Sequence, residues 1–169
     1  LVDELTQLGY VARLAFATYH PRSFISPGYQ GTLGWGLPTA MGVKVARPDA
    51  PVVLITGDGG LMFNVQELAT AVQHRIPIAV VVVNDGAFGN VLRTQQDDFD
   101  GREIASRLHN PDFIELARAF GCLAARVDDA AGLENAVRAS FDASLPTLIE
   151  VKARAMPSPW PLLRSSRQR

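Results

Sequence analysis

The stretch PVVLITGDGGLMFNVQELATAVQHRIPIAVVVVN, residues 51–84, decides the fold. It opens on PVVLIT (51–56), a short, continuous, β-branched apolar run of the kind found in strands buried on both faces. Met62, Val65, Leu68, Ala69 and Val72 then recur at helical spacing, which predicts a helix over 62–74. Pro77 breaks that pattern, and IAVVVVN (78–84) reads as a second buried strand. Between strand and helix sits Gly57-Asp58-Gly59-Gly60, a carboxylate held in a glycine-rich turn.

The rest of the chain extends the same alternation. Residues 86–109 are polar, carry DDFDGRE and predict a loop or lid around a short helix. Asn110 is expected to cap the next helix, with Pro111 in its first turn and Gly121 at its end. Phe113, Leu116, Ala117 and Phe120 form its apolar stripe. CLAARV (122–127) is a weaker strand, 130–143 a helix, and TLIEV (147–151) a third clear strand. The first 20 residues are helix-like. PSPWPLLRSSRQR (157–169) has three prolines, three arginines and no acid, and reads as a loose or docking tail. Strands alternating with helices predict an α/β fold: an open parallel sheet with helices on both faces and right-handed crossovers.

Composition bounds the function. With 169 residues, 47% of them apolar and 20% charged, the chain suits one soluble domain with a real core. A net charge of −1 makes no electrostatic case for nucleic acid or an anionic membrane. No apolar run reaches the roughly 18 residues of a membrane span, and no signal-peptide pattern is present. The single cysteine, Cys122, has no internal disulfide partner, so a cytoplasmic setting is expected, with Cys122 a small core residue. A first residue of Leu rather than Met is expected of a piece of something longer.

The turn itself points to a ligand. In open parallel sheets ligands bind beyond the carboxyl ends of the strands. Asp58 lies just past one such end and Asn84 ends the next strand, 26 residues on, followed by the turn dipeptide Asp85-Gly86. A carboxylate, a carboxamide oxygen and a turn carbonyl suit Mg²⁺, which takes about six oxygens and shares them with phosphate and water. Gly57 and Gly59 are expected to supply unusual turn dihedrals. The backbone N–H groups of Gly59 and Gly60, with the start of the following helix, would face an anion. The expected ligand is a magnesium diphosphate.

GDGGLMFNVQELATAVQHRIPIAVVVVNDGAFGN resembles the binding signature of thiamine diphosphate-dependent enzymes, which opens with GDG and closes with NN. It is closely similar to the acetolactate synthase-like branch, where GDG, NVQELAT and an N-x-x-x-G turn recur. The resemblance implies that Asp58 and the side-chain oxygen of Asn84 bind Mg²⁺, with the carbonyl of Gly86 as a third ligand. It places Gly57, Gly59, Gly60, Ala87 and Phe88 around the cofactor. Val83 stands where the signature has its first Asn. Upstream, SPGYQGTLGWGLPTAMGVKVARPDA (26–50) resembles the family segment in which a G-[ST]-apolar-G turn opens a helix. By that likeness Leu33 is the apolar wedge under the cofactor, and the carbonyl of Gly31 accepts from its pyrimidine amino group. The turn reads G-T-L-G-W-G, not the dinucleotide fingerprint G-x-G-x-x-G. The implied organisation is a helical or linker segment (1–25), a cofactor-binding domain (26–156) and the tail (157–169).

In that family the deprotonated thiazolium attacks a carbonyl, commonly of a 2-oxo acid, leading to decarboxylation or carboligation. A glutamate from a separate pyrimidine-binding domain, usually of a neighbouring subunit, drives the deprotonation. Glu67, Glu103, Glu115, Glu134 and Glu150 receive no such role, so the chain is expected to hold half of an active site and to work in a homo-oligomer. FAD, if the parent protein binds it, would sit outside this chain. Two other readings stand beside this one: a separate small subunit of a two-chain decarboxylase, and a non-catalytic magnesium-diphosphate module. Phe88 and Asn90 are candidates for the substrate border, as are Arg93 and Gln95, for which a solvated helix face is the simpler reading. His20 is a candidate for the cleft; His74 reads as a helix C-terminal residue, where a positive ring is merely favourable, and His109 as solvated. VLRTQQDDFD (91–100) lacks the tryptophan found there in the makers of branched-chain precursors, an expectation against acetohydroxyacid synthesis itself.

Overall fold

The computed structural model describes residues 1–28, 30–153 and 158. The expected tail lies outside the described residues, Ser158 apart. Strands β1 (Val2–Asp3), β2 (Val53–Gly57), β3 (Ala79–Asn84), β4 (Leu123–Val127) and β5 (Thr147–Lys152) form one sheet in the order β1-β2-β3-β5-β4. Every pairing is parallel. The helices are α1 (Gln7–Ala15), α2 (Gly36–Ala46), α3 (Asp58–Met62), α4 (Glu67–Gln73), α5 (Gly89–Asp98), α6 (Phe113–Ala119) and α7 (Ala130–Ser140). The architecture is the expected one, an open parallel sheet with helices on both faces. Among the described residues no helix is long and apolar enough to cross a membrane.

Alternation along the strands assigns the faces. Leu54, Val80, Val82 and Leu148 meet Leu37 and Met41 of α2, Leu61 of α3, Leu68 of α4 and Phe113 of α6. Ala79, Val81 and Ile149, offset by one residue, meet Leu133, Ala136 and Val137 of α7. Strand order explains the split. The chain advances across the sheet from β2 to β3 to β4, then steps back to β5. A right-handed crossover places the helix of a backward step on the opposite face, and α7 is that helix.

Three local expectations change. The helix expected over 62–74 is two short helices, α3 and α4, separated by 63–66. In that break the Asn64 side chain donates to the carbonyl of Gly34 at 2.5 Å, a bond a straight helix would direct elsewhere. Asn110 does not cap α6. Asp112 does, its Oδ1 accepting from the N–H groups of Ile114 (2.9 Å) and Glu115 (3.2 Å). Residues 1–25 carry edge strand β1 as well as helix α1, whose cap is Thr6, with Oγ1 accepting from Gly9 N–H at 2.9 Å. Asp3 and Glu4 are buried there despite their charge, Asp3 against Arg13 Nε at 2.8 Å. Gly121 follows α6 with φ +83°, as its position predicts.

Candidate functional site

Strands β2 and β3 pair with Gly57 opposite Val83, so Asp58 and Asn84 stand side by side at the carboxyl edge of the sheet. Asp58 is 2% exposed. Its Oδ1 accepts from Gly59 N–H at 2.9 Å. Its Oδ2 accepts from Gly86 N–H at 2.9 Å and from Asn110 Nδ2 at 2.6 Å. The same Asn110 nitrogen donates to Asn84 Oδ1 at 3.0 Å. A carboxylate oxygen and a carboxamide oxygen at adjacent strand ends therefore converge on one amide N–H donor group. The nitrogen of Asn84 faces the other way and donates to Glu150 Oε1 at 2.8 Å. Gly86 turns with φ +71°, and its carbonyl accepts from Leu108 N–H at 2.8 Å.

A cavity of about 210 Å³ opens beside Asp58. Of the residues singled out from the sequence, Leu33, Gly57, Asp58, Gly59, Gly60, Ala87, Phe88 and Asn90 line it. Asn84 and Gly86 sit against Asp58 rather than on the cavity wall, and Gly31 packs beside Leu5 instead. The role expected for Gly57 and Gly59 changes. Neither has positive φ; Gly57 is extended, at φ −85°, and caps α3, which begins at Asp58 itself. The need for glycine here is close approach. A Cβ on Gly59 would lie 2.4 Å from the Phe88 ring, and one on Gly60 would lie 2.9 Å from Glu4 Oε1. The N–H of Gly59 is engaged by its neighbour's carboxylate, so it is not simply held out for an anion.

The Leu33 turn is fixed from below. Gly34 has φ +85°, its N–H donates to Glu4 Oε1, and its carbonyl accepts from Asn64. Glu4 Oε2 accepts from Thr56 Oγ1 at 2.6 Å. One buried carboxyl thus ties the Leu33 turn to the end of β2. Burial pushes the Glu4 carboxyl above the ordinary range, and the bonds from Thr56 and Gly34 pull the other way. Asp85 is also raised, first by burial and then by the neighbouring Asp58 carboxylate, with the N–H of Ala87 opposing.

The remaining candidates separate cleanly. His20 is exposed and lines neither this cavity nor its neighbour. His74 is the exposed C-cap residue of α4. His109 borders an adjoining cavity of about 340 Å³ with Met62, Phe63 and Phe88. Arg93 donates to Gln7 Oε1 at 2.9 Å. Gln95 clamps the following loop, bonding Ile104 through both its oxygen and nitrogen and accepting from Ser106 Oγ at 2.8 Å. Among the described residues no group of three His, Cys, Asp or Glu side chains could hold a metal. A cation here would depend on mixed oxygen donors.

Four residues of the site escape a sequence reading that looks for local signals. Thr6 and Gln7 line the cavity from the cap and first residue of α1. Asn110 and Glu4 act on partners 52 and 30 residues away. The available signal was weak: acids inside an apolar stretch, as at Glu4 and again at Glu150 in TLIEV.

The chain matches the family described as "Thiamine pyrophosphate enzyme, C-terminal TPP binding domain" over residues 5–151. It belongs to that family and is a thiamine diphosphate-binding domain. It is 39% identical over 150 residues to a probable 2-ketoarginine decarboxylase of Pseudomonas aeruginosa, covering 88% of this chain and 27% of that protein. It is 38% identical over 136 residues to the acetolactate synthase isozyme 3 large subunit of Escherichia coli, covering 80% and 24%. Among solved structures it superposes on the thiamine diphosphate-dependent 4-hydroxybenzoylformate decarboxylase of Rhodococcus jostii RHA1, with TM-score 0.75 and 31% identity over 82% of this chain and 26% of that one. The chain spans about a quarter of the length of these relatives.

Proposed function

We propose that this chain holds thiamine diphosphate through Mg²⁺ in an enzyme that decarboxylates or carboligates a 2-oxo acid. Asp58 and Asn84 supply side-chain oxygens to the metal, and the Gly86 carbonyl a third. Gly59 and Gly60 form the floor over which the diphosphate passes, with Gly57, Ala87 and Phe88 around it. Leu33 supports the cofactor as a wedge, and the Gly31 carbonyl accepts from its aminopyrimidine. The cofactor supplies a nucleophilic carbon and an electron sink for the bond cleaved next to the carbonyl. The chain's own part is to bind, orient and exclude water.

One observation carries this reading: Asp58 Oδ2 and Asn84 Oδ1 meet at one donor, 2.6 and 3.0 Å away, at the carboxyl edge of the sheet. An all-oxygen donor set of one carboxylate, one carboxamide and a turn carbonyl suits a hard cation. The relatives' names support a 2-oxo acid substrate, since two of the three are decarboxylases of such acids. We take the cofactor-binding domain as 26–156, to which residues 1–25 add edge strand β1, helix α1 and part of the cavity wall. The activating glutamate comes from a pyrimidine-binding domain of the same or a neighbouring subunit; the working form we propose is a homo-oligomer, in the cytoplasm.

Calorimetric titration of the full-length protein with thiamine diphosphate, with and without Mg²⁺, tests this. Magnesium-dependent binding is expected for the wild type and not for Asp58→Ala, with NAD as the control ligand. Wild-type binding of NAD in place of thiamine diphosphate, or binding indifferent to Mg²⁺, overturns it.

A further inference from the structure

Glu150 raises a question that the sheet alone does not answer. It sits on β5 at 1% exposure, directly opposite Arg126 of β4. Arg126 Nε donates to Glu150 Oε2 at 2.6 Å, and its Nη2 reaches Asp112 Oδ2 at 3.0 Å. A cross-strand ion pair is ordinary, and on a solvated edge it contributes little. This one is unequal: the arginine side chain is 35% exposed and the glutamate side chain 2%. Burying a carboxylate is expensive unless its oxygens are satisfied. The second oxygen is satisfied by Asn84 Nδ2, at 2.8 Å, across to β3.

That bond has a directional consequence. A carboxamide has one end that accepts and one that donates, and the two ends are nearly alike in shape. A carboxylate only accepts, so Glu150 admits the nitrogen of Asn84 and rejects its oxygen. The oxygen must then face Asp58, where Asn110 Nδ2 meets both. Turned over, Asn84 would present two N–H donors to the place where an oxygen ligand is required.

We infer that Glu150 is a positioning residue of the metal site, fixing the amide of Asn84 so that Oδ1 faces the Asp58 carboxylate. This rests on the reading of Asn84 as a Mg²⁺ ligand. Glu150→Gln is nearly isosteric, and its outcome follows from Arg126. The guanidinium has no acceptor, so the new carboxamide must give it the oxygen and offer N–H to Asn84. Asn84 then turns over. Adding Arg126→Leu frees the new carboxamide to rotate and accept from Asn84 again.

The test uses the full-length protein at saturating thiamine diphosphate and reads the Mg²⁺ concentration for half-maximal cofactor binding, with Tm in chelator read separately. Glu150→Gln should raise the half-saturating Mg²⁺ by about 10-fold, the usual penalty for losing a partner of a metal ligand. The double variant Glu150→Gln with Arg126→Leu should return to within about 2-fold of wild type, although it is less stable in chelator. An ion pair with a purely structural role predicts the reverse: Tm falls, adds up in the double variant, and the Mg²⁺ requirement stays constant. That result overturns the inference. If Glu150→Gln alone does not fold, the double variant decides, and a rise of about 10-fold in its Mg²⁺ requirement overturns it. Asn84→Ala separates the two layers. If it leaves the Mg²⁺ requirement unchanged, Asn84 is no ligand and both readings fall. If it raises the requirement while Glu150→Gln does not, only the inference about Glu150 falls.

Discussion

Asn110 Nδ2 lies 2.6 Å from Asp58 Oδ2, across 52 residues of chain, and the bond ties the segment before α6 to the start of α3. The donor end of an amide occupies the point where two oxygens converge, and that orientation sets the electrostatics of the site.

Replacing the donor with an acceptor makes the first prediction. Asn110→Asp puts a second carboxylate against Asp58, with Asp85 already close enough to feel its charge. Like charges about 4 Å apart repel by about 4 kcal/mol at an effective dielectric of 20, and by more at shorter range. The variant should melt lower than wild type in chelator and show a larger rise in Tm on adding Mg²⁺. Equal Mg²⁺ shifts in the two proteins would separate Asn110 from the cation site.

Two glycines of the site should fail in different ways. Gly86 has φ +71° and open space where a Cβ would go. Gly86→Ala therefore meets backbone strain alone, about 1–2 kcal/mol, and should lower stability without reshaping the cavity. Gly59 has ordinary dihedrals, but a Cβ there would lie 2.4 Å from the Phe88 ring and 3.0 Å from Leu108 Cδ1. Gly59→Ala should displace Phe88 into the cavity and weaken thiamine diphosphate binding more than it lowers Tm. Denaturant melts and cofactor titrations on both variants check this, and matching profiles would refute the distinction.

These cases show what the sequence could carry. Strands β2, β3 and β5 were legible because each is rich in β-branched apolar residues, although only β3 is buried on both faces almost throughout while β2 alternates buried and half-buried residues. Asp58 and Asn84 were legible because strand ends in a parallel sheet share an edge. β1 was not, because it is two residues long and leads into Glu4, a second acid that reads as surface after Asp3. Among the described residues those acids are bonded by Arg13, Thr56 and Gly34, none of them adjacent in the chain. Asn110 misled for the same reason: before a proline it looks like a cap, and its real partners lie one and two strands away. Local chemistry predicted the elements, while tertiary pairing decided which polar side chains turn inward.

The last prediction concerns Cys122, which lies just before β4, is 6% exposed and packs in the main core. Burial pushes its thiol up to about 11. An unfolded cysteine titrates near about 8.5, so between these values the unfolded chain releases its proton first. Rising pH in that window draws the equilibrium toward the unfolded state. The contribution of Cys122 to stability is therefore fully present below about pH 8.5 and is lost as pH climbs toward the folded value. Cys122→Ala removes the titrating group and leaves a cavity. The wild type should be the more stable of the two near neutral pH, and its margin should shrink steadily at alkaline pH. In parallel, a thiol reagent near neutral pH should modify the native protein far more slowly than the urea-unfolded chain. A margin that does not change with pH, or rapid modification of the native protein, would show that this thiol is not buried as described.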